Sequence, residues 1–225
     1  MQLPSNQIVI GLSLFLTVFI MAPVWQKINA EALQPYLDRK ISNQQAFDNA
    51  AAPLRETLQA FRRGGGRLLD TSPNYGNSEE VLGRLLTDLG VRGEMFMATK
   101  VDRETRADGE QRMEASFGRL RGSVDLMQVH NLRGVDVQLQ TLAEWKAQGR
   151  FRYIGITTHR VEQHADIERC MRQYALDFVQ VNYSLEDRAA AERILPLAQD
   201  RGIAVLVNRP FGKGSLFGAV RGRAL

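Results

Sequence analysis

The sequence predicts an α/β fold, a TIM-type (β/α) barrel, from about Thr57 onward, preceded by an N-terminal apolar helix. Three observations carry this. Short apolar runs recur about every 25–30 residues, the length of one βα unit. Amphipathic stretches with i, i+3, i+4 spacing lie between them. No Gly-x-Gly-x-x-Gly follows the first run, which weighs against a doubly wound sheet.

The expected strands are Arg67–Thr71, Met95–Lys100, Val124–His130, Phe151–Thr157, Asp177–Asn182 and Ile203–Asn208. They are apolar almost throughout, as strands buried on both faces are. Helical faces between them are Val81, Leu82, Leu85, Leu86 and Leu89, then Met113, Phe117 and Leu120, then Leu139, Leu142 and Trp145. Asn77 with Glu80 offers a capping box. Gly90, Gly122, Gly149 and Gly202 fall where left-handed residues end helices. Gly64-Gly65-Gly66 precedes the first strand, so it reads as a helix-to-strand turn and not as a phosphate loop.

With 225 residues the chain can hold one large domain or two small ones, and its 44% hydrophobic and 24% charged content suits a folded protein. The net charge is +4, without a dense basic run interleaved with aromatics, so no nucleic-acid partner is expected. The single cysteine, Cys170, sits at helical spacing with Ile167, Met171 and Tyr174 and reads as a core residue. No second metal-type ligand lies near it, and no metal site is expected.

The N-terminal segment differs in kind. Residues 8–25 are almost wholly apolar, close to the length that crosses a bilayer as a helix. A cleaved signal peptide competes, since Ala30-Glu31-Ala32 resembles a cleavage site, but no Lys or Arg precedes the run. Lys27, Arg39 and Lys40 follow it, which places the rest of the chain on the cytoplasmic side of an inner membrane. Leu3-Pro4-Ser5-Asn6-Gln7, Met21-Ala22-Pro23-Val24, Gln34-Pro35-Tyr36, Lys40-Ile41-Ser42 and Ala52-Pro53-Leu54-Arg55 resemble the middle of FliP, a membrane component of the flagellar export gate. The expected division is therefore a FliP-like membrane-helix segment at 1–55 and a barrel at 56–225.

In a TIM barrel the chemistry gathers at the C-terminal strand ends. Asp70, Lys100 and His130 stand at the C-terminal ends of the first three runs, Asp70 one residue before the last, and Tyr75 lies in the loop after the first. Reduction of a carbonyl by hydride leaves an alkoxide that needs a proton. A phenol gives one up reluctantly near neutral pH, and a nearby ammonium stabilises the phenolate. A carboxylate holds the ammonium in place, and a neutral imidazole can orient the carbonyl.

Three segments resemble the signatures of the aldo-keto reductase superfamily. They are Gly65-Gly66-Arg67-Leu68-Leu69-Asp70-Thr71-Ser72-Pro73-Asn74-Tyr75-Gly76, then Ala98-Thr99-Lys100, then Asp125-Leu126-Met127-Gln128-Val129-His130. The resemblance implies a catalytic set of Asp70, Tyr75, Lys100 and His130, with Tyr75 as general acid. It implies NADP(H) as cofactor and a small aldehyde or ketone as substrate. The segment from Trp145 to Thr158 continues the match. The resemblance puts Asn131, Thr157, Thr158, Gln180, Asn208, Arg209, Pro210 and Phe211 in the cofactor site.

Three departures follow. Thr157-Thr158 replaces the family's Ser-Asn. Asn208 falls where many relatives carry a tyrosine that stacks on the nicotinamide. The family's first and last barrel strands have no counterpart, which leaves six of eight and an incomplete barrel with open edges. Two gene fragments joined near residues 53–57 would account for this, and a membrane-tethered reductase is the alternative. The competing functions are an export-gate component and a non-catalytic nucleotide-sensing module.

Overall fold

The computed structural model describes residues 44–222. The expected membrane helix at 8–25 lies outside the described residues, as does most of the FliP-like segment. Among the described residues no helix is long and apolar enough to cross a membrane.

Helices and strands alternate along the chain. The order is α1 (Gln44–Arg63), β1 (Leu68–Asp70), α2 (Ser78–Asp88), β2 (Phe96–Val101), α3 (Arg106–Leu120), β3 (Leu126–His130) and α4 (Val135–Ala147). Then come β4 (Tyr153–Thr157), α5 (His164–Gln173), β5 (Phe178–Asn182), α6 (Ile194–Asp200), β6 (Ala204–Asn208) and α7 (Ser215–Val220). All pairings are parallel and the order is β1-β2-β3-β4-β5-β6. Each expected strand is present within two residues or so of its expected ends. No pairing joins β6 to β1, so the described sheet is an open half-barrel.

The period-two alternation of the strands gives the sheet two unlike faces. Leu69, Met97, Val101, Met127, Val129, Ile154, Ile156, Val179 and Val181 face the helices and join the main core. On the other face Ala98, Leu126, Phe178 and Leu206 form a second apolar layer, with Phe96 and Tyr153 packed against it. The rings of Phe96 and Tyr153 stack at 5.8 Å, and Phe178 meets Tyr153 edge-on at 5.5 Å. Toward the C-terminal strand ends this same face turns polar. Gln128 Nε2 of β3 and Gln180 Nε2 of β5 both donate to the carboxylate of Asp70 on β1, at 3.1 and 3.2 Å. A side chain on β5 reaches β1 only because the sheet curls, so this is the concave face.

Helix α1 crosses the expected division between residues 55 and 56 without a break, with Pro53 inside it. Phe47, Ala51 and Leu54 come from the FliP-like stretch, and Leu58 and Phe61 from the barrel stretch. All five are buried in one core and spaced as one helical stripe. The Arg84 guanidinium of α2 lies 3.7 Å from the Phe47 ring centroid. Arg55 reaches Asp88 at 3.6 Å. The resemblance to FliP therefore extends into an element that the half-barrel core uses.

The anticipated helical faces are buried, Leu89 and Phe117 partly so. Cys170 is wholly buried in the core, and burial pushes its thiol pKa up. Two cap expectations need correction. Asn77 is the N-cap of α2, yet its side chain makes no cap hydrogen bond. Its backbone, at φ −92° and ψ 16°, is not in the extended region from which a capping side chain reaches the first-turn amides. At the end of α3 the left-handed residue is Arg121 (φ 53°), one position before Gly122. Gly90, Gly149 and Gly202 are left-handed as expected.

Candidate active site

The loop after β1 turns tightly, with Tyr75 N donating to Ser72 O at 2.9 Å and Ser78 N to Tyr75 O at 3.1 Å. This folds Tyr75 back over the polar end of the concave face. Lys100 Nζ, from β2, donates to Asp70 Oδ2 at 2.6 Å and to Thr71 O at 2.7 Å. It lies 5.2 Å from the centroid of the Tyr75 ring. The His130 ring, at the end of β3, meets the Tyr75 ring edge-on with centroids 6.0 Å apart. The structure thus brings Asp70, Tyr75, Lys100 and His130 together at one rim.

The electrostatics differ from group to group. Desolvation alone would push the Lys100 ammonium down. The opposing charges of Asp70, Tyr75 and Glu79, with the hydrogen bond to Asp70, outweigh it and hold its pKa above the usual lysine range. His130 is pulled down to about 3, first by burial and then by the Lys100 charge. Its imidazole is therefore neutral at physiological pH. Ser72 Oγ, 3.1 Å from His130 Nδ1, also accepts from Asn74 N at 3.2 Å. Either the Ser72 hydroxyl or a protonated Nδ1 can be the donor in this contact.

The residues expected in a cofactor site form a linked row along the ends of β4, β5 and β6. Thr158 N donates to Gln180 O at 3.0 Å, and Asn208 Nδ2 to Thr158 O at 3.2 Å. Thr157 pairs with Gln180 across the β4–β5 ladder. The Thr158 hydroxyl is engaged with Gln163. Asn131 has the left-handed φ of 54°, and its Oδ1 lies 3.1 Å from His159 Nδ1. After β6, Arg209 is also left-handed (φ 53°), Pro210 follows, and the Phe211 ring packs on Phe217 at 5.1 Å.

Several rim residues were not anticipated. His159 is half-buried and bonded to Asn131, and Asn182 Nδ2 donates to its carbonyl at 3.1 Å. Asp102 is buried and accepts from Asn74 Nδ2 at 2.6 Å. Gln128 is wholly buried. A cavity of about 350 Å³ opens beside His130, lined also by Asn74, Asp102, Asn131, Arg133 and Arg160.

A parallel (β/α) half-barrel with a phenol, an ammonium, a carboxylate and a neutral imidazole at its C-terminal rim defines a barrel protein equipped for proton transfer. Comparison with known proteins makes this specific. The model described as "Aldo/keto reductase family" matches residues 41–224, and the chain belongs to that family. The model described as "FliP family" matches residues 1–68, so the two matches overlap along α1. The aldo-keto reductase YhdN of Bacillus subtilis (strain 168) is 31% identical over 179 residues, covering 72% of this chain and 53% of that protein. The flagellar biosynthetic protein FliP of the same organism is 49% identical over 62 residues, 28% of each chain. Among solved structures, the holo form of an aldo-keto reductase from Bacillus halodurans superposes with a TM-score of 0.64 at 25% identity. That match covers 77% of this chain and 61% of the other. The chain thus spans little more than half the length of the reductases it matches.

Proposed function

We propose that this chain reduces an aldehyde or ketone with NADPH, and that Tyr75 is the proton donor. The observation that carries the reading is the buried Lys100–Asp70 pair set against the Tyr75 ring, with neutral His130 at the ring's edge. Family membership supports it.

The residues present fit a nicotinamide. Gln180 Oε1 is a buried acceptor with no hydrogen-bond partner among the described residues, and a carboxamide N–H can satisfy it. Thr157, Thr158, Asn131 and Asn208 would hold the same group, and Arg209, Pro210 and Phe211 would flank it. The cofactor, when bound, supplies the hydride that reaches the carbonyl carbon. Tyr75 Oη gives its proton to the carbonyl oxygen as negative charge develops there. The Lys100 ammonium, held by Asp70, stabilises the phenolate left behind until it regains a proton from water. With the Ser72 hydroxyl as donor to Nδ1, the His130 proton would sit on Nε2, where it can hydrogen-bond the carbonyl and orient it.

The test is cofactor oxidation by the full chain with nitrobenzaldehyde, run with NADPH and with NADH. Turnover that is lost in Tyr75→Phe, with NADPH binding retained by fluorescence, is expected. Binding without turnover in the unaltered chain would favour a nucleotide-sensing module instead.

The match of residues 1–68 to the FliP family favours a second element, a membrane helix at 8–25 with the half-barrel on the cytoplasmic side. We read residues 1–55 and 56–225 as units of separate origin that share α1. Retention of the full chain in the membrane fraction after alkaline carbonate washing is expected, and its release would reject the anchor.

A further inference from the structure

The chemistry of the cavity beside His130 bears on which carbonyl compounds the site takes. Small-molecule pockets are mostly apolar, with a few placed polar groups, and begin at about 300 Å³. This one is close to that lower size, at about 350 Å³, and every residue lining it is polar or charged. Its one carboxylate is already engaged. Asp102 accepts from Asn74 Nδ2 at 2.6 Å and from Arg103 at 2.7 Å, and Arg112 Nε lies 3.4 Å away.

Two guanidiniums on the wall are not similarly engaged. Arg160 has no carboxylate partner among the described residues. Arg133 pairs with Glu104 at 3.0 Å, but the two side chains are 54% and 64% exposed. Such a pair is screened by water and readily exchanged for another anion. Two further cations stand nearby, since Arg209 and Lys213, like Arg160, act electrostatically on His159 at the same rim. The turn that carries this wall is held in an unusual shape. Asn131 and Leu132 are consecutive left-handed residues, a conformation that costs energy for non-glycine side chains. Gln163 Nε2 and His159 brace it through Asn131, the former at 3.3 Å from the Asn131 carbonyl.

We propose that the substrate carries an oxyanion group, a carboxylate or a phosphate, which Arg133 and Arg160 hold while its carbonyl lies against His130. This rests on the reductase reading and goes beyond it by naming the substrate class. A guanidinium offers a planar fork of donors that fits either anion. The small cavity holds His130 and both guanidiniums, so carbonyl and anion belong to one short molecule.

The test uses the full chain and three aldehydes of one shape: para-methylbenzaldehyde, para-carboxybenzaldehyde and para-formylphenyl phosphate. With NADPH, the anionic aldehydes should exceed the neutral one in kcat/KM by roughly tenfold or more, and the ratio should shrink with added salt. The ratio should collapse toward unity in Arg160→Ala combined with Arg133→Ala. Whichever anionic aldehyde shows the larger ratio identifies the group. Calorimetric binding of para-carboxybenzyl alcohol against para-methylbenzyl alcohol runs in parallel and needs no turnover. Turnover of all three aldehydes at equal efficiency would overturn the anion subsite and leave the reductase reading standing. Preferential binding of the carboxylate without any turnover would do the reverse. Equal, weak binding of both alcohols with no turnover would overturn both.

Discussion

Lys100 Nζ lies 2.6 Å from Asp70 Oδ2, and both side chains are almost wholly shielded from solvent. Gln128 and Gln180 complete the carboxylate's hydrogen bonds from the opposite strands. A pair buried this deeply binds its members to each other: removing one leaves the other charged in a medium that does not tolerate it. Asp70→Asn should therefore cost about 3–5 kcal/mol of stability. Asp70→Asn combined with Lys100→Met should cost less than Asp70→Asn alone. Urea unfolding of the three proteins checks the order, and a double variant no more stable than Asp70→Asn would contradict it.

The same pair has a kinetic signature. Lys100→Met removes the ammonium beside Tyr75 and should slow carbonyl reduction by roughly a hundredfold or more. Unchanged turnover across a pH series, in a variant that still binds NADPH, would reject the role given to Lys100.

His130 supplies a pH prediction whose sign can be worked out. Its folded pKa is about 3, against an ordinary value of 6.5. The unfolded chain therefore binds a proton at this position that the folded chain refuses. Stability from this group is fully present above the ordinary value and is lost as pH falls from there toward about 3. Unfolding midpoints at neutral pH and near pH 4.5 should differ more in the unaltered protein than in His130→Gln. An NMR titration should show no His130 transition in the neutral range. A transition between about pH 6 and 7 would contradict the buried, neutral imidazole.

Much of this architecture was legible in the residue order. The six apolar runs became the six strands because each is short, rich in branched residues and separated by one amphipathic helix. Asp70, Tyr75, Lys100 and His130 were legible because each stands at a strand end or in the loop that follows one. What was missed followed the same alternation two residues further on or back. Gln128 precedes His130 by two and Asp102 follows Lys100 by two, so they share the concave face. His159 and Arg160 were not legible, because loop residues acquire neighbours only through the curl of the sheet. The role of α1 was hidden for a different reason. Phe47, Ala51 and Leu54 sit in a stretch that reads as FliP, and sequence likeness there says nothing about which core the side chains enter.

That role is testable. Leu54 is 1% exposed within the core. Leu54→Ala should destabilise the half-barrel by about 2–5 kcal/mol. A change below about 0.5 kcal/mol, the range of ordinary surface substitutions, would mean that α1 is not part of the cooperative fold.

Gly155 tests the concave packing. It lies in β4, and a Cβ there would come within 2.7 Å of the Phe178 carbonyl oxygen on β5. That atom belongs to backbone and cannot swing aside. Gly155→Ala should cost about 1–3 kcal/mol by overpacking, read from the denaturant midpoint. A neutral effect would mean that the β4–β5 ladder is looser than its register implies.

In the proposed reaction, hydride and proton meet on one carbonyl at the rim formed by Tyr75, Lys100, Asp70 and His130. Reduction of nitrobenzaldehyde with NADPH dideuterated at C4 of the nicotinamide, followed by mass spectrometry of the alcohol, tests this. Deuterium on the carbinol carbon with the unaltered chain, and no labelled alcohol with Tyr75→Phe, is the predicted result. Unlabelled alcohol, or label carried over equally well by Tyr75→Phe, would contradict it.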